Sequence, residues 1–502
     1  MLSLIRSVKN TFALVNRTPP EVLSLIPDYC EDSERDEASI ELTHVCRHWR
    51  EIFVSRPSLW TRLDCKNVEK TKVYIERSRT SPLEILLNGR GAGRFRGEAF
   101  FLVVPHIGRS KTLSISNWRP PVSVALLPVF FELLSCPVPL LEKLKIDLIH
   151  ESTPALSSTL FDGGDLSSLR ELDLTGVLVP LSWRSLGNLT IFNLSNAPRR
   201  GFLLTRLLDF FESAPRLQDV RLKDSIPDDS NAPPERIVSL PDLKKLVTIT
   251  DTPNSILLDH LSVPPGASVV LESTFSGAGS PIPSHISSAL DNLHNISHIA
   301  TINLCFGPER RAIQLNGPSG ELYIRGKWIR EGTRAHTGTT RLLRFLNRFD
   351  TSRCRRLGIT QYASRPDPSA PIVEYSAYQL LHPMGDLRTL TLIESNNLPF
   401  ILTFDPDQNP DKIVMCPKLE EITLYVKPPY KFHVNELLSM AKGRASRDAK
   451  LSAITIVSTE TLAPSMDVFE LRKYVSRLEC KFDNIPPAWD TLPAHNPFES
   501  NS

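Results

Sequence analysis

The chain has 502 residues, of which 41% are hydrophobic and 23% charged, a composition typical of a soluble globular protein. Its 58 basic and 56 acidic residues give a net charge of +2, which does not support a nucleic-acid or polyanion partner. No apolar run approaches the ~18 residues of a membrane-spanning helix, so none is expected. The 41 prolines are an excess that predicts many short elements.

The first residues form a basic segment without acidic side chains. Residues 1–17 include Arg6, Lys9 and Arg17 and lack the cleavage site of a secretory signal. We interpret them as an N-terminal arm; a mitochondrial presequence over 1–20 is the alternative. The eight cysteines contain no C-x-x-C pair, which favours free or buried thiols in a reducing compartment and disfavours zinc. A cytoplasmic or nuclear location, or both, is therefore expected.

Residues 18–65 carry the clearest local pattern, which predicts three short helices. Thr18 can cap the first helix, Pro19 suits its first position and Glu21 completes a capping box. A second helix is predicted from about residue 39 to 55, and a third element follows at 56–60. The apolar residues at helical spacing are Val22, Leu25, Ile26 and Tyr29 in the first helix, and Leu42, Val45, Cys46, Trp49, Ile52 and Phe53 in the second.

A helical segment this small buries too little apolar surface to be stable by itself. Its apolar side chains would pack either on the rest of the same chain or on a partner protein, and the periodicity leaves both possibilities open. Residues 31–37, between the first two helices, are almost all charged and predict a solvated loop.

The same segment resembles a known sequence motif. TPPEVLSLIP at 18–27, LTHVCRHWR at 42–50 and RPSLW at 56–60 have the content, order and spacing of an F-box. The form is similar to that of the F-box proteins abundant in mushroom-forming fungi. The segment departs from the motif at Thr18, where leucine is usual, and in the acidic insertion at 31–37.

The resemblance implies a partner and a set of binding residues. An F-box is a small helical unit that binds the Skp-type adaptor of a cullin–RING ubiquitin ligase, and these proteins carry a long, divergent repeat region after it. By motif position, the implied adaptor-binding residues are Pro20, Val22, Leu25, Ile26, Val45, Cys46, Trp49, Pro57, Leu59 and Trp60.

Residues 66–483 repeat a short strand-like pattern of apolar residues, as in LEKLKI, LRELDL and LRTLTL. The middle apolar residues recur at intervals of roughly 20–32 residues or their multiples, with weaker candidates at Val270, Leu322 and Leu357. This period is typical of a leucine-rich-repeat solenoid with one strand and one helix per repeat. The predicted fold class is therefore α/β, a small all-α F-box followed by an irregular leucine-rich-repeat-like solenoid.

Helix-like runs and prolines fit such repeats. Prolines such as Pro215 and Pro417 stand between helix and strand, where they end helices. Val177 replaces the asparagine of regular leucine-rich repeats, so irregular turns are expected. The helix-like runs are 126–134, 203–211, 342–349, 434–440 and 468–478, the predicted inserts lie near 225–240, 252–295 and 361–375, and the predicted flexible tail is 484–502.

Residues that point outward from the strands are candidates for binding a target protein, because the parallel strands of a solenoid line one wall. The middle outward positions are mixed in charge and indicate no single class of ligand. A solvated surface is the alternative interpretation. These positions are Lys145, Asp173, Asn193, Arg221, Thr391 and Thr423.

Catalytic and metal-binding motifs are incomplete. His44 and His48 are four residues apart but lack the glutamate of H-E-x-x-H. The glycines at 89–97 fit no phosphate-binding loop, and the alternating acids at 405–411 lack the glycine and glutamate of a calcium loop. No G-x-S-x-G is present. No catalytic residue, cofactor or metal is predicted.

The sequence predicts a non-enzymatic substrate-recognition subunit of a Skp–cullin–F-box ubiquitin ligase. The F-box would bind the adaptor, and through it the cullin, while the repeats bind an unknown target protein. No nucleic-acid or membrane partner is expected. The alternative is a leucine-rich-repeat-like scaffold or interaction protein with no role in ubiquitination, and a hydrolase is a more distant one.

Overall fold

The computed structural model has a mixed α/β fold with a large, mostly parallel sheet. Packing divides the chain into two compact units, Met1–Leu217 and Gln218–Ser502. Among the described residues, every helix is too short or too polar to cross a membrane. The structure describes residues 10, 12–29, 35–88, 97–116, 136–148, 166–177, 186–197, 203–226, 236–250, 255–273, 292–306, 310–327, 346, 348–361, 374–393, 398–407, 413–426, 433–458 and 466–483.

Short helices open the first unit. Four 3₁₀ turns accompany them in the described residues of this unit, at Leu14–Arg17, Ile26–Tyr29, Pro57–Trp60 and Val104–Arg109. Asn67 caps one of the longer helices, because its side-chain oxygen accepts the N–H of Lys70 at 3.1 Å. The helices are α1 (Pro20–Leu23), α2 (Arg35–His44), α3 (Arg47–Val54), α4 (Val68–Ser78), α5 (Gly97–Val103) and α6 (Leu204–Ser213).

The strands of the first unit form a parallel sheet in which each strand pairs with the next along the chain. Two neighbouring parallel strands require a connection that brings the chain back to the edge of the sheet where the first strand began. This is the arrangement of α/β folds. The strands are β1 (Arg62–Leu63), β2 (Leu83–Asn88), β3 (Ser110–Ser116), β4 (Lys143–Asp147), β5 (Glu171–Thr175) and β6 (Ile191–Ser195).

The second unit alternates strands and helices over a longer stretch of chain. Its helices are α7 (Ser255–Leu258), α8 (Glu374–Leu381), α9 (Leu398–Phe404), α10 (Val434–Ala445) and α11 (Met466–Leu471). Its strands are β7 (Asp219–Lys223), β8 (Val238–Ser239), β9 (Lys245–Thr250), β10 (Leu261–Ser262), β11 (Ser268–Ser273), β12 (Thr301–Phe306), β13 (Arg310–Gly317), β14 (Gly320–Lys327), β15 (Arg356–Gln361), β16 (Thr389–Ile393), β17 (Glu421–Val426), β18 (Ala453–Ser458) and β19 (Arg477–Phe482).

The strands of the second unit pair in the order β7, β9, β11, β14, β13, β12, β15, β16, β17, β18 and β19. All these pairings are parallel except those of β13, which is antiparallel to β12 and to β14. A separate parallel pair joins β8 and β10. The prediction of one strand and one helix per repeat is wrong at β12–β14, because a two-residue turn after Gly317 returns the chain directly as a hairpin.

One row of buried apolar side chains crosses the sheet of each unit at the predicted middle positions. In the first unit the row contains Leu113, Leu144, Leu172 and Phe192, which are register neighbours. Burial of each such side chain contributes roughly 1.5–3 kcal/mol, so the row is a main source of stability. In the second unit the predicted members of the row are Val220, Leu246, Ile302, Leu322, Leu357, Leu390, Ile422 and Ile454.

Two predictions near residue 270 are wrong. Val269, and not Val270, occupies the buried row, since Val269 and Leu271 are buried and Val270 between them is half-buried. The insert predicted at 252–295 also contains α7, β10 and β11, and β11 is a full member of the sheet.

A tight turn precedes several strands and explains part of the proline excess. In it the carbonyl oxygen of a buried residue accepts the N–H of a buried leucine three positions later, as Val138 does from Leu141 and Cys416 from Leu419, each at 3.0 Å. That leucine is the first apolar residue of the repeated pattern. Pro139 and Pro417 lie within these two turns. Pro215 follows the end of α6 as predicted, because proline suits a turn and cannot continue a helix.

Three predictions of helix boundaries need correction. The helix predicted over 39–55 is two helices, because the backbone of Cys46 is extended, with φ −160° and ψ 174°. Thr18 does not cap the first helix, which begins at Pro20 after Pro19 and has no side-chain cap. The run 468–478 is helical only to Leu471, since parallel pairing with β18 makes the chain extended from Arg477 onward.

Of the other sequence predictions, some are confirmed by the structure, and others fall on residues for which no comparison with the structure is made. The runs 203–211 and 434–440 lie in α6 and α10. The predictions at 126–134 and 484–502, and most of the run 342–349, lie outside the described residues.

Candidate docking surface and strand faces

Residues 12–29 and 35–60 form a helical module with one side buried. Leu23, Phe53 and Trp60 are buried, while the polar side of α3 exposes Arg47 and Arg50. Trp49 and Phe53 are four residues apart and therefore lie on the same face of α3, where both are buried. The spacing of the apolar residues thus fixes which side of α3 faces inward.

Trp49 is held by contacts within the module. Its indole Nε1 donates a hydrogen bond to Asn16 Oδ1 at 2.7 Å, and its ring meets Phe53 edge-on with 5.6 Å between ring centroids. The Cys46 thiol also points to Asn16 Oδ1, at 3.8 Å. Asn16 therefore joins the 3₁₀ turn at Leu14–Arg17 to the start of α3.

Trp60 connects the module to the following helix. Its Nε1 donates to the carbonyl oxygen of Phe53 at 3.0 Å, which satisfies the buried indole N–H. Its ring meets Tyr74 edge-on at 5.1 Å, and the Arg77 guanidinium lies over it at 4.4 Å from the centroid. Tyr74 and Arg77 belong to α4, so the module is fixed to the body of the first unit.

The helical module also exposes large apolar side chains. Val22, Leu25 and Val45 are 51%, 48% and 54% exposed, respectively. Monomeric proteins rarely expose many such residues together, and concentrations of them mark sites of protein interaction. The exposed apolar residues of the module are Phe12, Leu14, Val15, Val22, Leu25, Tyr29, Ile40 and Val45.

The predicted adaptor-binding residues fall into three groups by exposure. Pro20, Val22, Leu25 and Val45 are exposed, and Ile26, Cys46 and Pro57 are half-buried. Trp49, Leu59 and Trp60 are buried within the chain itself. Within the chain these three side chains act as internal supports, and their contact with an adaptor stays a prediction.

On the first unit's sheet, three predicted target-binding residues lie side by side. Lys145, Asp173 and Asn193 are register neighbours on β4, β5 and β6. Burial raises the pKa of the Asp173 carboxyl, and the Lys145 ammonium at 3.6 Å partly opposes this. Asn193 Oδ1 and Asp147 Oδ1 are buried acceptors that no donor from the described residues reaches. This face thus places one lysine beside side-chain acceptors, two of which are buried.

The predicted target-binding residues of the second unit are not all neighbours. Thr391 and Thr423 pair in register, and Thr455 extends the same row. Arg221 lies several strands away on β7, where its Nε and Nη2 atoms bind Asp219 of the same strand at 3.1 and 2.8 Å. The row of threonines on β16–β18 is uncharged, whereas the charge of Arg221 is neutralised by Asp219 on its own strand.

The metal-binding motifs that are incomplete in the sequence contribute side chains to local structure. Within the residues that the structure describes, no group of three or more His, Cys, Asp and Glu is placed to hold a metal. Asp405 is buried and accepts the Ser439 hydroxyl at 2.8 Å and the N–H of Asp407 at 3.0 Å. The glycine-rich loop lies at 89–97, and the structure describes only Gly97 of it.

The cysteines of the described residues are free, as predicted. Burial raises the pKa of the Cys65, Cys354 and Cys416 thiols to about 12. Such thiols are protonated at neutral pH and therefore poor nucleophiles.

Sequence reasoning missed two structurally important residues. Asn16 is one of several polar residues in the N-terminal arm, and its role follows only from its position next to Trp49 in space. Arg444 is fully buried in α10, where its guanidinium binds three backbone carbonyl groups. No signal in the sequence distinguishes it from the exposed arginines around it.

Comparison of the chain with models of known protein families gives no match, and no curated protein matches it in sequence. The F-box interpretation therefore depends on the residues at 18–60 and on the geometry described above.

Proposed function

We propose that the chain is the substrate-recognition subunit of a Skp–cullin–F-box ubiquitin ligase. The helical module would be the F-box that docks the Skp-type adaptor, and the strand-bearing remainder would bind a target protein. The observation that carries the proposal is the concentration of exposed apolar side chains at Val22, Leu25 and Val45, within the segment whose sequence resembles an F-box. The protein would perform no bond chemistry and would act by bringing a target lysine near the ubiquitin-charged enzyme.

The apolar residues of the module divide into buried and exposed ones, and this division supports docking of a partner without unfolding of the module. Trp49, Leu59 and Trp60 keep the module folded and attached to α4, so Val22, Leu25 and Val45 remain available to a partner. Burial of an aliphatic side chain contributes roughly 1.5–3 kcal/mol, so a few such contacts account for a stable complex after the cost of association.

The strand pattern supports an irregular leucine-rich-repeat-like array for the remainder. Parallel strands recur in register with a shared buried row, and a tight turn precedes several of them, as in repeats with nearest-neighbour contacts. The position of the usual repeat asparagine is occupied by Val177, Ala197 and Ser225 in three repeats, all of them buried. The residues just before these positions, Gly176, Asn196 and Asp224, all have positive φ, at 71°, 51° and 48°, so the three turns share a backbone feature without the usual asparagine.

Co-purification of the full chain with a Skp-type adaptor tests the docking. We expect the wild-type chain to recover the adaptor and Val22→Asp/Val45→Asp to lose at least about 90% of it, because two carboxylates would be desolvated in the interface. Phe101→Asp is the matched control, since Phe101 is an exposed apolar residue of α5, outside the module.

Failure would take two distinguishable forms. A wild-type chain that recovers no adaptor refutes the ligase proposal. A Val22→Asp/Val45→Asp chain that recovers as much adaptor as Phe101→Asp refutes the assignment of the surface.

The internal packing of Trp60 favours one alternative, a repeat scaffold whose first helices only cover the start of the sheet. Trp60 directly precedes β1 and contacts Tyr74 and Arg77 of α4, as a covering element would. In that case Trp60→Ala would lower the thermal midpoint, and neither wild type nor variant would recover an adaptor.

A further inference from the structure

We propose that the segment before the F-box, residues 12–17, belongs to the same docking surface and contacts the same partner. This inference rests on the proposed function and extends it beyond the residues that the F-box resemblance covers. It assigns binding roles to Phe12 and Leu14, and a positioning role to Asn16.

Two apolar side chains of the segment are more exposed than Val22, Leu25 and Val45. Phe12 is 67% and Leu14 81% exposed, and Val15 is also exposed. Leu14 and Val15 lie in the 3₁₀ turn that ends at Arg17, so the backbone carrying them is folded and their exposure is that of an ordered segment. Ordered apolar side chains lose less conformational entropy on binding than those of an unfolded tail.

Asn16 makes this segment continuous with the proposed F-box surface. Its Oδ1 accepts Trp49 Nε1 at 2.7 Å, and its Nδ2 donates to the carbonyl oxygen of Asn10 at 2.6 Å. The Cys46 thiol reaches the same oxygen, and Cys46 directly follows the exposed Val45. The turn is thus held at the start of α3, next to the position in the chain of the exposed Val45.

The charges at this junction indicate the partner's complementary surface. Arg17 ends the 3₁₀ turn, Arg47 begins α3, and each is exposed. In the described part of the chain neither has an ion-pair partner. The surface that covers this junction would therefore be apolar with carboxylates at its rim, and the complex would weaken as salt increases.

The affinity of the full chain for a recombinant Skp-type adaptor tests the binding role of the segment. We expect Phe12→Asp/Leu14→Asp to weaken binding about tenfold or more relative to wild type, because two apolar contacts are replaced by desolvated charges. Phe101→Asp is the matched control, since Phe101 is 63% exposed and lies outside the module. Its affinity should stay within about twofold of wild type.

The outcomes separate this inference from the proposed function. If wild type binds and Phe12→Asp/Leu14→Asp binds as well as Phe101→Asp, the inference is wrong and the proposed function stands. If wild type binds no adaptor at all, both are overturned.

A pair of variants tests the positioning role of Asn16. Asn16→Ala removes the acceptor for Trp49 Nε1, whereas Asn16→Asp keeps it. We expect Asn16→Ala to weaken adaptor binding by about fivefold or more and Asn16→Asp to stay closer to wild type, with thermal midpoints measured to exclude unfolding. Equal affinities of the two variants would overturn the anchoring by Asn16.

Discussion

Arg444 shows how a buried cation can organise a turn. It is fully buried in α10, and its three guanidinium nitrogens Nη1, Nη2 and Nε donate to the carbonyl oxygens of Met415, Cys416 and Ala449 at 2.7, 3.1 and 3.2 Å. Burial lowers the pKa of Arg444 to about 10, so the side chain stays protonated at neutral pH. The planar guanidinium can serve three carbonyls in fixed directions, which a lysine ammonium cannot.

We therefore expect Arg444→Lys to lower the free energy of unfolding by about 2–4 kcal/mol, because at least one buried carbonyl loses its donor. Urea denaturation followed by tryptophan fluorescence and circular dichroism measures the change. Arg447→Lys is the matched control, since Arg447 is one turn further along the chain, part-exposed, and pairs with Asp407 at 2.8 Å. An equal loss in both variants would contradict the role given to the three carbonyls.

Asp173 predicts a pH-dependent contribution to stability. Burial raises its pKa above the ordinary value of 3.8, so the folded protein keeps this proton to higher pH than the unfolded chain. The contribution is present in full below pH 3.8 and is lost as pH rises through the folded-state pKa. Asp173→Asn removes this pH-dependent loss of stability. The variant should therefore have a higher thermal midpoint than wild type at pH 7, and the two midpoints should converge as pH falls towards 3.8. A lower midpoint than wild type at pH 7 would mean that the Lys145 ion pair outweighs the cost of burial.

At the scale of elements, Gly358 makes room for a polar chain across three strands. Asn303 on β12 donates to Gln314 on β13 at 3.0 Å, and Gln314 donates to Glu321 on β14 at 2.7 Å. Gly358 on β15 is the register neighbour of Asn303, and a Cβ atom there would clash with Asn303 Oδ1. The glycine therefore lets the Asn303 side chain keep its orientation.

This contact predicts a non-additive pair of substitutions. Gly358→Ala should lower the free energy of unfolding by about 1–3 kcal/mol, because Asn303 must move. In an Asn303→Ala background the same change should be neutral or slightly stabilising, since alanine restricts the unfolded chain. Gly385→Ala, where a Cβ atom meets open space, serves as the control in chemical denaturation. Additive effects of Gly358→Ala and Asn303→Ala would show that the two residues do not interact.

The strands that could be predicted are those whose own sequence alternates. Leu172 and Leu174 are buried while Asp173 between them is not fully so, and this period of two is readable directly. β13 does not show the repeated pattern, because a hairpin turn determines its position beside β14. β19 does not show it either, because pairing with β18 determines its position. The break of the helix at Cys46 and the anchoring by Asn16 depend on contacts distant in sequence, which no local pattern encodes.

The predicted docking residues illustrate the same limit. The spacing of Val45, Trp49 and Phe53 indicates one apolar helix face, but it does not say which of these residues meets the chain and which meets solvent. The structure divides them, with Trp49 and Phe53 inside and Val45 outside. The sequence pattern therefore located the segment that carries the candidate surface, while packing determined which of its residues are exposed.

At the scale of the whole molecule, the proposed function assigns docking and target binding to different residues. The docking residues lie in the helices and turns of 12–45, whereas the candidate target-binding residues lie on strands of each unit. A substitution of an exposed docking residue leaves the buried rows of the sheet untouched. Loss of the adaptor should therefore leave recognition of the target intact.

Proximity labelling in cells by the full chain tests this separation. We expect Val22→Asp/Val45→Asp to lose the adaptor and the cullin from its labelled neighbours while it keeps the other neighbours found with wild type and with Phe101→Asp. A true target should also accumulate, and carry less ubiquitin, in cells that express this variant, because it is bound but no longer presented to the ligase. Loss of all neighbours would instead mean that the helical module itself contacts the target, and unchanged recovery of the cullin would mean that the module does not dock the ligase.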